Sequence, residues 1–353
     1  MIRLMTRVSA IVFAVGMLMA GTGSAGAAGA PAGPSGPTLQ AVRAHGQVRC
    51  GVATGLTGFS ERDAAGAWTG FNVDYCRALA AAVLGDPTRV SFLPFGVQPG
   101  MAALARGEID ILNRNMTVTL RRVNELGLHP VGVAFFDGQG LLVRRSSGIR
   151  TLHELAGRSI CFQSGTSAEE ALKDAFTARR ILYIPVTRSG GKERELIRVF
   201  LDGGCDALSA DASALAAIQL GLPDPDQYLL LRQRISKEPF GPLVRKGDDN
   251  WLEIARWTLM AMIEAEELGV SRATVDAMRT SDNPRVRYLL GITPGLGPFL
   301  GLDDRWAYRI VAGVGNYGDS FEANLGRGSS LKLDRGLNDL WTRGGLMFAL
   351  PLR

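Results

Sequence analysis

Residues 113–122 contain side chains that could bind a carboxylate. The segment follows a predicted strand, and Arg122 lies five residues after Thr117, so the chain can fold back and bring the two side chains together. A guanidinium binds a carboxylate through two parallel hydrogen bonds, and a threonine hydroxyl adds a third donor. An exposed helix arginine has the same spacing and is more common, so this pattern alone is a weak signal.

Residues 163–167 and Asp211 add two further groups suited to a charged ligand. The sequence Gln-Ser-Gly-Thr-Ser joins a predicted strand to a predicted helix, where the free backbone N–H groups of the first turn bind anions. Asp211 stands at a similar junction, and its carboxylate suits a ligand ammonium group. Simple helix capping by Ser164, Thr166 or Asp211 is the alternative at both junctions. No Gly-Lys-Ser/Thr sequence follows Gly165, which excludes a P-loop.

Two anion-binding features and one cation-binding feature together predict a zwitterionic ligand, because a charge buried in a cleft without a partner is unfavourable. Catalytic groups are not indicated. The three histidines, His45, His129 and His153, adjoin neither a cysteine nor a Gly-x-Ser-x-Gly elbow. No cluster of histidine, cysteine or carboxylate has the spacing of metal ligands. We therefore expect a binding protein without catalytic residues, metal or cofactor.

The elements that must position these groups alternate between strand and helix. In the first half, strands are predicted at 47–53, 89–95 and 109–113, and helices at 72–84 and 101–106. In the second half, helices are predicted from Thr151, from Ser167 and at 193–201, and strands at 159–163, 182–186 and 206–209. This βαβ order predicts two α/β units, each with a parallel sheet covered by helices.

Two apolar runs interrupted by glycine and proline, at 135–144 and 238–245, separate the two units. A chain that leaves the first unit and later returns to it makes a hinged, two-lobed α/β clamshell with its cleft at the strand ends. Further helices are predicted at 251–269 and 303–325, both on the first lobe. The expected boundaries are 38–136 plus 244–353 for lobe 1 with a C-terminal extension, 143–237 for lobe 2, and 137–142 and 238–243 for two hinge crossovers.

Residues 1–28 have the order of a cleaved signal peptide, with Arg3 and Arg7 followed by an apolar run and then small residues. The apolar run is shorter than the about 20 residues that cross a bilayer, so we expect export without membrane insertion. Residues 29–37, rich in Gly, Pro and Ala, predict a flexible linker. Removing the two arginines lowers the formal charge from +5 to +3, an excess too small to indicate nucleic-acid binding.

The four cysteines, Cys50, Cys76, Cys161 and Cys205, predict disulfides, because an even number in an exported protein usually pairs. Three pairings are possible. Pairing nearest neighbours would hold each lobe together separately, at about 3 to 4 kcal/mol for each bond. Structural zinc is the alternative, but no two of these cysteines have CxxC spacing.

At these residues the chain resembles the polar amino-acid-binding proteins of ABC importers, and in particular their general L-amino-acid-binding branch. The matching stretches are residues 49–52, 68–78, 107–112, 136–140, 163–166, 235–239, 246–249, 265–269 and 314–318. The likeness spans nearly all of residues 38–353. It includes the long C-terminal extension and all four cysteines, which belong to that branch.

The resemblance implies a type II periplasmic-binding-protein clamshell and a role for each candidate residue. Arg122, Thr117 and the Thr166 backbone would hold the α-carboxylate of the ligand. Asp211 and the carbonyl of Asn115 would hold its α-ammonium group. The positions expected around the ligand side chain are Ala53, Leu56, Val97 and Gln163.

The implied function is capture of free L-amino acids in the periplasm, by a monomer that delivers them to the permease of an ABC transporter. The apolar, small side-pocket positions predict broad specificity. Two other functions remain open. A cyclohexadienyl or arogenate dehydratase-like enzyme has the same fold but needs a positioned acid in the cleft. An amino-acid sensor module would need a separate membrane partner.

Overall fold

The computed structural model describes residues 33–53, 55–188 and 193–353. The predicted signal peptide and the start of the predicted linker lie outside these residues. The helices of the described part are α1 (Pro37–His45), α2 (Phe71–Leu84), α3 (Val97–Ala105), α4 (Leu120–Glu125), α5 (Ser167–Ala178), α6 (Glu193–Leu201), α7 (Ala212–Leu220), α8 (Asp249–Glu267), α9 (Pro284–Leu289), α10 (Trp306–Gly313) and α11 (Tyr317–Asn324). None of these helices has both the length and the apolar character that crossing a membrane requires.

The strands of the described residues form two large sheets and two small ribbons. They are β1 (Val48–Val52), β2 (Glu61–Arg62), β3 (Trp68–Thr69), β4 (Val90–Pro94), β5 (Ile111–Leu112), β6 (Leu128–Pro130), β7 (Phe135–Asp137), β8 (Gln139–Arg144), β9 (Ser159–Gln163), β10 (Ile184–Arg188), β11 (Ala207–Asp211), β12 (Tyr228–Leu230), β13 (Glu238–Phe240) and β14 (Leu243–Arg245). We call the sheets and the helices that cover them the first and second lobes.

The sheet of the first lobe has the strand order β4-β1-β5-β14-β6. β1 is paired in parallel with β4 on one side and β5 on the other, so the connections diverge at β1. β14 and β6 run antiparallel to their neighbours. The sheet is therefore mixed rather than wholly parallel as predicted, because β14 enters it in the reverse direction when the chain returns from the second lobe.

The sheet of the second lobe has the order β10-β9-β11-β8-β12. β10, β9 and β11 are parallel, whereas β8 pairs antiparallel with both β11 and β12. Buried side chains cover both faces of each sheet. Both lobes thus have the α/β layering that alternating strands and helices predict.

Two antiparallel strands, β7 and β13, connect the lobes. Phe135 and Phe240 are partners in this pairing, and their rings stack with centroids 6.1 Å apart. The outgoing chain enters the second sheet at Gln139 and the returning chain enters the first sheet at Leu243. Residues 139–142, expected in a crossover, therefore already belong to strand β8.

Two disulfides are present, Cys50–Cys76 and Cys161–Cys205, with Cα–Cα distances of 6.3 and 5.9 Å. The first ties helix α2 to strand β1, and the second ties β9 to the turn before β11. This confirms the prediction of disulfides rather than zinc, and of the three possible pairings it selects nearest neighbours.

Two predicted helices and one linker boundary differ from the structure, and helix α3 begins four residues before its predicted start. The helix expected from Thr151 is a single 3-10 turn at His153–Leu155, which stops before Gly157 with its φ of 71°. The helix expected at 303–325 is two helices, α10 and α11. Pro37, placed at the end of the predicted linker, is the first residue of α1, where proline is well tolerated.

Candidate functional site

A cavity of about 140 Å³ lies between the two lobes, where the carboxyl ends of their parallel strands meet. In open α/β sheets, ligands bind in the crevice at these strand ends. Segments after β1, β4, β5, β9 and β11 supply most of the lining residues, among them Leu56, Val97, Arg114, Asn115, Met116, Thr117, Arg122, Gln163, Thr166, Ser167, Ser209, Asp211 and Ala214. The space holds several water-sized groups, so a small molecule can occupy it.

Arg122 lies in the short helix α4, which follows β5. Its Nη1 atom donates to the backbone oxygen of Thr117 at 3.0 Å, so the side chain does fold back over the preceding segment. Burial lowers the pKa of the Arg122 guanidinium, and the nearby carboxylates of Glu238, Asp211 and Glu170 oppose that shift. An arginine remains charged throughout the physiological range, so the cavity wall presents a half-buried cation.

Thr117 is buried between the two lobes. Its hydroxyl donates to the carboxylate of Glu238, which also accepts a hydrogen bond from the Ser236 hydroxyl. The Thr117 hydroxyl oxygen lies 3.3 Å from that of Ser167 on the second lobe. A threonine hydroxyl has one proton, and in this structure Glu238 accepts it. The role of Thr117 as a donor to a ligand carboxylate stays a prediction, which requires that hydroxyl to turn.

The first turn of α5 forms the wall of the cavity on the second lobe. Thr166 is the residue before this helix, but its hydroxyl donates to the backbone oxygen of Gln163 at 2.8 Å instead of capping the helix. Backbone N–H groups at the start of a helix lack partners within it and favour anions. The start of α5 is therefore suited to a ligand carboxylate.

Asp211 ends β11 and stands immediately before α7. Its side chain makes no capping hydrogen bond to that helix. The carboxylate of Asp137 does so instead, accepting from the backbone N and the hydroxyl of Ser213 at 3.2 and 2.5 Å. Since Asp137 takes the capping role, helix capping does not explain an acidic residue at position 211, and Asp211 lines the cavity.

Asn115 lines the cavity and is fixed by its neighbours. Its Oδ1 accepts from Asn72 Nδ2 at 2.9 Å, and Asn113 Nδ2 donates to the backbone oxygen of Asn72 at 2.8 Å. The two asparagines hold the segment after β5 against the first turn of α2. The predicted side-pocket residues Leu56, Val97 and Gln163 also line the cavity, whereas Ala53 is buried at the end of β1 and is not a lining residue.

Residues 48–271 match the sequence profile of the bacterial extracellular solute-binding proteins, family 3. The chain belongs to this family. The General L-amino acid-binding periplasmic protein AapJ of Rhizobium johnstonii is 45% identical over 340 residues, which are 96% of this chain and 99% of that protein. The glutamate/glutamine/aspartate/asparagine-binding protein BztA of Rhodobacter capsulatus is 45% identical over 341 residues, with 96% and 97% covered.

A solved structure supports the same assignment. An ABC transporter periplasmic binding protein from Brucella ovis with glutathione bound superposes with a TM-score of 0.86 at 44% identity, covering 90% of this chain and 99% of that one. The two-lobed clamshell expected for a family 3 solute-binding protein is thereby confirmed. The residues after 271, beyond the family match, form what we call the C-terminal extension.

Sequence reasoning missed Arg114, which lines the cavity, and two buried polar residues beside it, Gln139 and Glu238. Gln139 is fully buried, and its Nε2 donates to the backbone oxygen of Ala168 and the hydroxyl of Ser209 at 2.9 and 2.8 Å. It links the start of α5 to strand β11. No local signal marks Gln139 or Glu238, because their partners are distant in the chain. Arg114 lies in the segment 113–122 that was predicted to bind a carboxylate, but residue spacing alone does not indicate which of its side chains faces the cavity.

In the described ranges, no group of three or more histidine, cysteine, aspartate or glutamate side chains is arranged to hold a metal ion.

Proposed function

We propose that this protein captures free L-amino acids in the periplasm and delivers them to the permease of an ABC transporter. Membership of the solute-binding family supports capture and delivery, and the names of AapJ and BztA support amino acids as the ligand class. Export through a cleaved signal peptide at residues 1–28 and function as a monomer are parts of the same proposal.

The observation that carries the proposal is a pair of opposite charges on the two walls of one cavity. Arg122 belongs to the first lobe and Asp211 to the second, and both line the space between them. A dry cleft with one such cation and anion binds a ligand that carries both charges better than it binds a simple anion or cation, since each buried charge needs a partner.

We assign the roles that the resemblance to amino-acid-binding proteins implies. Arg122 and the backbone at Thr166 hold the α-carboxylate, while Asp211 and the Asn115 carbonyl hold the α-ammonium group. The Thr117 carbonyl orients the Arg122 guanidinium. Leu56, Val97 and Gln163 surround the ligand side chain, and their mixed character favours acceptance of several amino acids.

Closure of the clamshell is the signal that a permease reads. Contacts between the lobes beside the cavity include Thr117 with Ser167 at 3.3 Å and the exposed ion pair of Arg121 with Glu170 at 3.9 Å. A ligand held by both lobes stabilises the closed state over the open one by its differential affinity. A micromolar ligand has a net binding free energy of about 8 kcal/mol, which remains after the cost of hinge closure has been met.

Isothermal titration of ligand-stripped mature protein with a panel of L-amino acids tests the proposal. The wild type should bind several of them, and Arg122→Met and Asp211→Asn should each weaken all of them by at least 100-fold, because each leaves a ligand charge and its hydrogen bonds unpaired. Mass spectrometry should recover the bound amino acid unchanged, as expected of a binding protein rather than an enzyme.

Matched controls separate the site from general charge effects. Arg106→Met removes a cation from the exposed end of α3, and Asp202→Asn removes an anion from the surface after α6. Both should bind like the wild type. Absence of amino-acid binding in the wild type would contradict the proposal, and conversion of arogenate or prephenate would replace it with a dehydratase-like function.

A further inference from the structure

The cavity contains one more charge than a zwitterionic backbone requires. Among the described residues that line it, the charged side chains are Arg114, Arg122 and Asp211. Glu238 is buried behind Thr117, bonded to the Thr117 and Ser236 hydroxyls, and it does not line the cavity. The described part of the walls therefore presents two cations and one anion.

Arg114 lies between two asparagines that anchor its segment to the first lobe. Asn113 and Asn115 both bond to Asn72, at the start of α2. The Arg114 side chain between them lines the cavity. Its Nη1 donates to the backbone oxygen of Phe95 at 3.2 Å, which fixes the guanidinium beside the loop between β4 and α3.

That position is the side-chain end of the cavity. Val97 follows Phe95 by two residues and lines the cavity, as does Leu56, and both were expected around the ligand side chain. Arg122 is held elsewhere, on the Thr117 carbonyl and close to the second lobe. The two guanidinium groups are thus placed to meet different parts of one ligand.

We propose that Arg114 selects amino acids whose side chains end in a carboxylate or a carboxamide. The inference rests on the proposed function, because it takes Arg122 and Asp211 as the partners of the ligand backbone. A guanidinium can bind a side-chain carboxylate through two parallel hydrogen bonds, and it can donate to the oxygen of a carboxamide. An aliphatic side chain would cover Arg114 without offering an acceptor, which is unfavourable, and a cationic side chain would be repelled.

Selectivity of the wild type is the first test. Titration calorimetry should rank glutamate and glutamine at least tenfold above norvaline, which has the same carbon chain without the terminal acceptor, and lysine below norvaline. A site built to bond a polar group discriminates strongly against a ligand that lacks it. Norvaline binding within threefold of both glutamate and glutamine would overturn the inference and leave the proposed function intact. Absence of binding for every amino acid would overturn both.

The variant Arg114→Met assigns the selectivity to this residue, since methionine keeps part of the aliphatic stem and removes the charge and the donors. It should weaken glutamate and glutamine by ten- to 100-fold while changing norvaline by less than threefold. Arg106→Met, the exposed control on the same lobe, should change none of them. An equal loss for all ligands in Arg114→Met would overturn the assignment. If Arg114→Met does not fold, the comparison of ligands on the wild type still decides.

Discussion

The Thr117 hydroxyl has polar partners on both sides of the cleft. It donates to the buried carboxylate of Glu238 and contacts Ser167 across the cleft. Thr117 and Glu238 are only 6% and 3% exposed, so water cannot easily replace the hydrogen bond between them. A buried carboxylate that loses a donor keeps its desolvation penalty, and this makes Thr117 important for stability as well as for binding.

We expect Thr117→Val to lower the free energy of unfolding by about 1 to 3 kcal/mol, because the side chain keeps its shape while Glu238 loses a donor. Urea unfolding of the ligand-free protein measures this. Thr117→Ser retains the hydroxyl and serves as the control, with a loss of about 1 kcal/mol for one buried methyl group. A valine variant as stable as the serine variant would show that the hydrogen bond to Glu238 contributes nothing.

The contrast between Arg122 and Glu238 shows what the sequence could predict of the site. The fold-back of Arg122 onto Thr117 spans five residues, so local spacing contained the necessary information. Glu238 reaches Thr117 across 121 residues, through the pairing of the two crossovers, and nothing near either residue indicates the contact. The capping of α7 by Asp137 is likewise a contact across 76 residues.

At the scale of elements, the break between α10 and α11 is set by the sequence itself. Gly315 has a φ of 110°, which a helix does not allow, and Asn316 begins a new helix through a capping box with Asp319. The Asn316 side chain accepts from Asp319 N at 2.7 Å and donates to the backbone oxygen of Val270 at 2.9 Å. Apolar periodicity continues across this break, which is why it predicted one helix at 303–325.

Replacing Asn316 by alanine should therefore destabilise the first lobe by about 2 kcal/mol, the loss of a helix cap together with a buried hydrogen bond. Urea unfolding measures the total loss of unfolding free energy. Hydrogen exchange should be faster than in the wild type for the amides of α11 and unchanged for those of β9. Asn283→Ala removes a comparable cap from the exposed start of α9, where the Asn283 side chain accepts from Arg285 N. Asn283→Ala should lower the unfolding free energy by about 1 kcal/mol or less. An equal loss in both variants would show that the buried hydrogen bond of Asn316 adds nothing to its helix cap.

Elements whose two ends are marked by turn residues in the sequence were predicted well. Strand β9 and helix α6 have the predicted bounds, because turn residues flank them in the sequence. The antiparallel strands β14 and β8 were not predicted as such, since strand direction depends on how the crossovers re-enter each sheet. The direction in which strands pair is a long-range property, so it cannot be predicted from local hydrophobic periodicity.

At the scale of the whole molecule, the C-terminal extension is attached to the connection between the lobes. Asn338 accepts from the backbone N of Phe136 at 2.6 Å and donates to its backbone oxygen at 3.0 Å, so its amide pairs with β7 as another strand would. Arg335 bonds to the Asn338 carbonyl and forms a largely buried ion pair with Glu266 on α8. The extension thereby fastens β7 to the core of the first lobe.

If this attachment stiffens the connection, Asn338→Ala should raise the hydrogen-exchange rates of β7 and β13 while those of β9 and β11 stay unchanged. The two partly buried backbone groups of Phe136 would lose their partners, which also costs about 2 kcal/mol of unfolding free energy. Asn250→Ala is a matched control, because Asn250 likewise bonds two backbone groups, Gly36 N and Leu300 O, away from the connection. It should lower stability without changing exchange in β7 and β13. Equal exchange in the two variants would mean that the extension stabilises the first lobe but leaves the motion between the lobes unaffected.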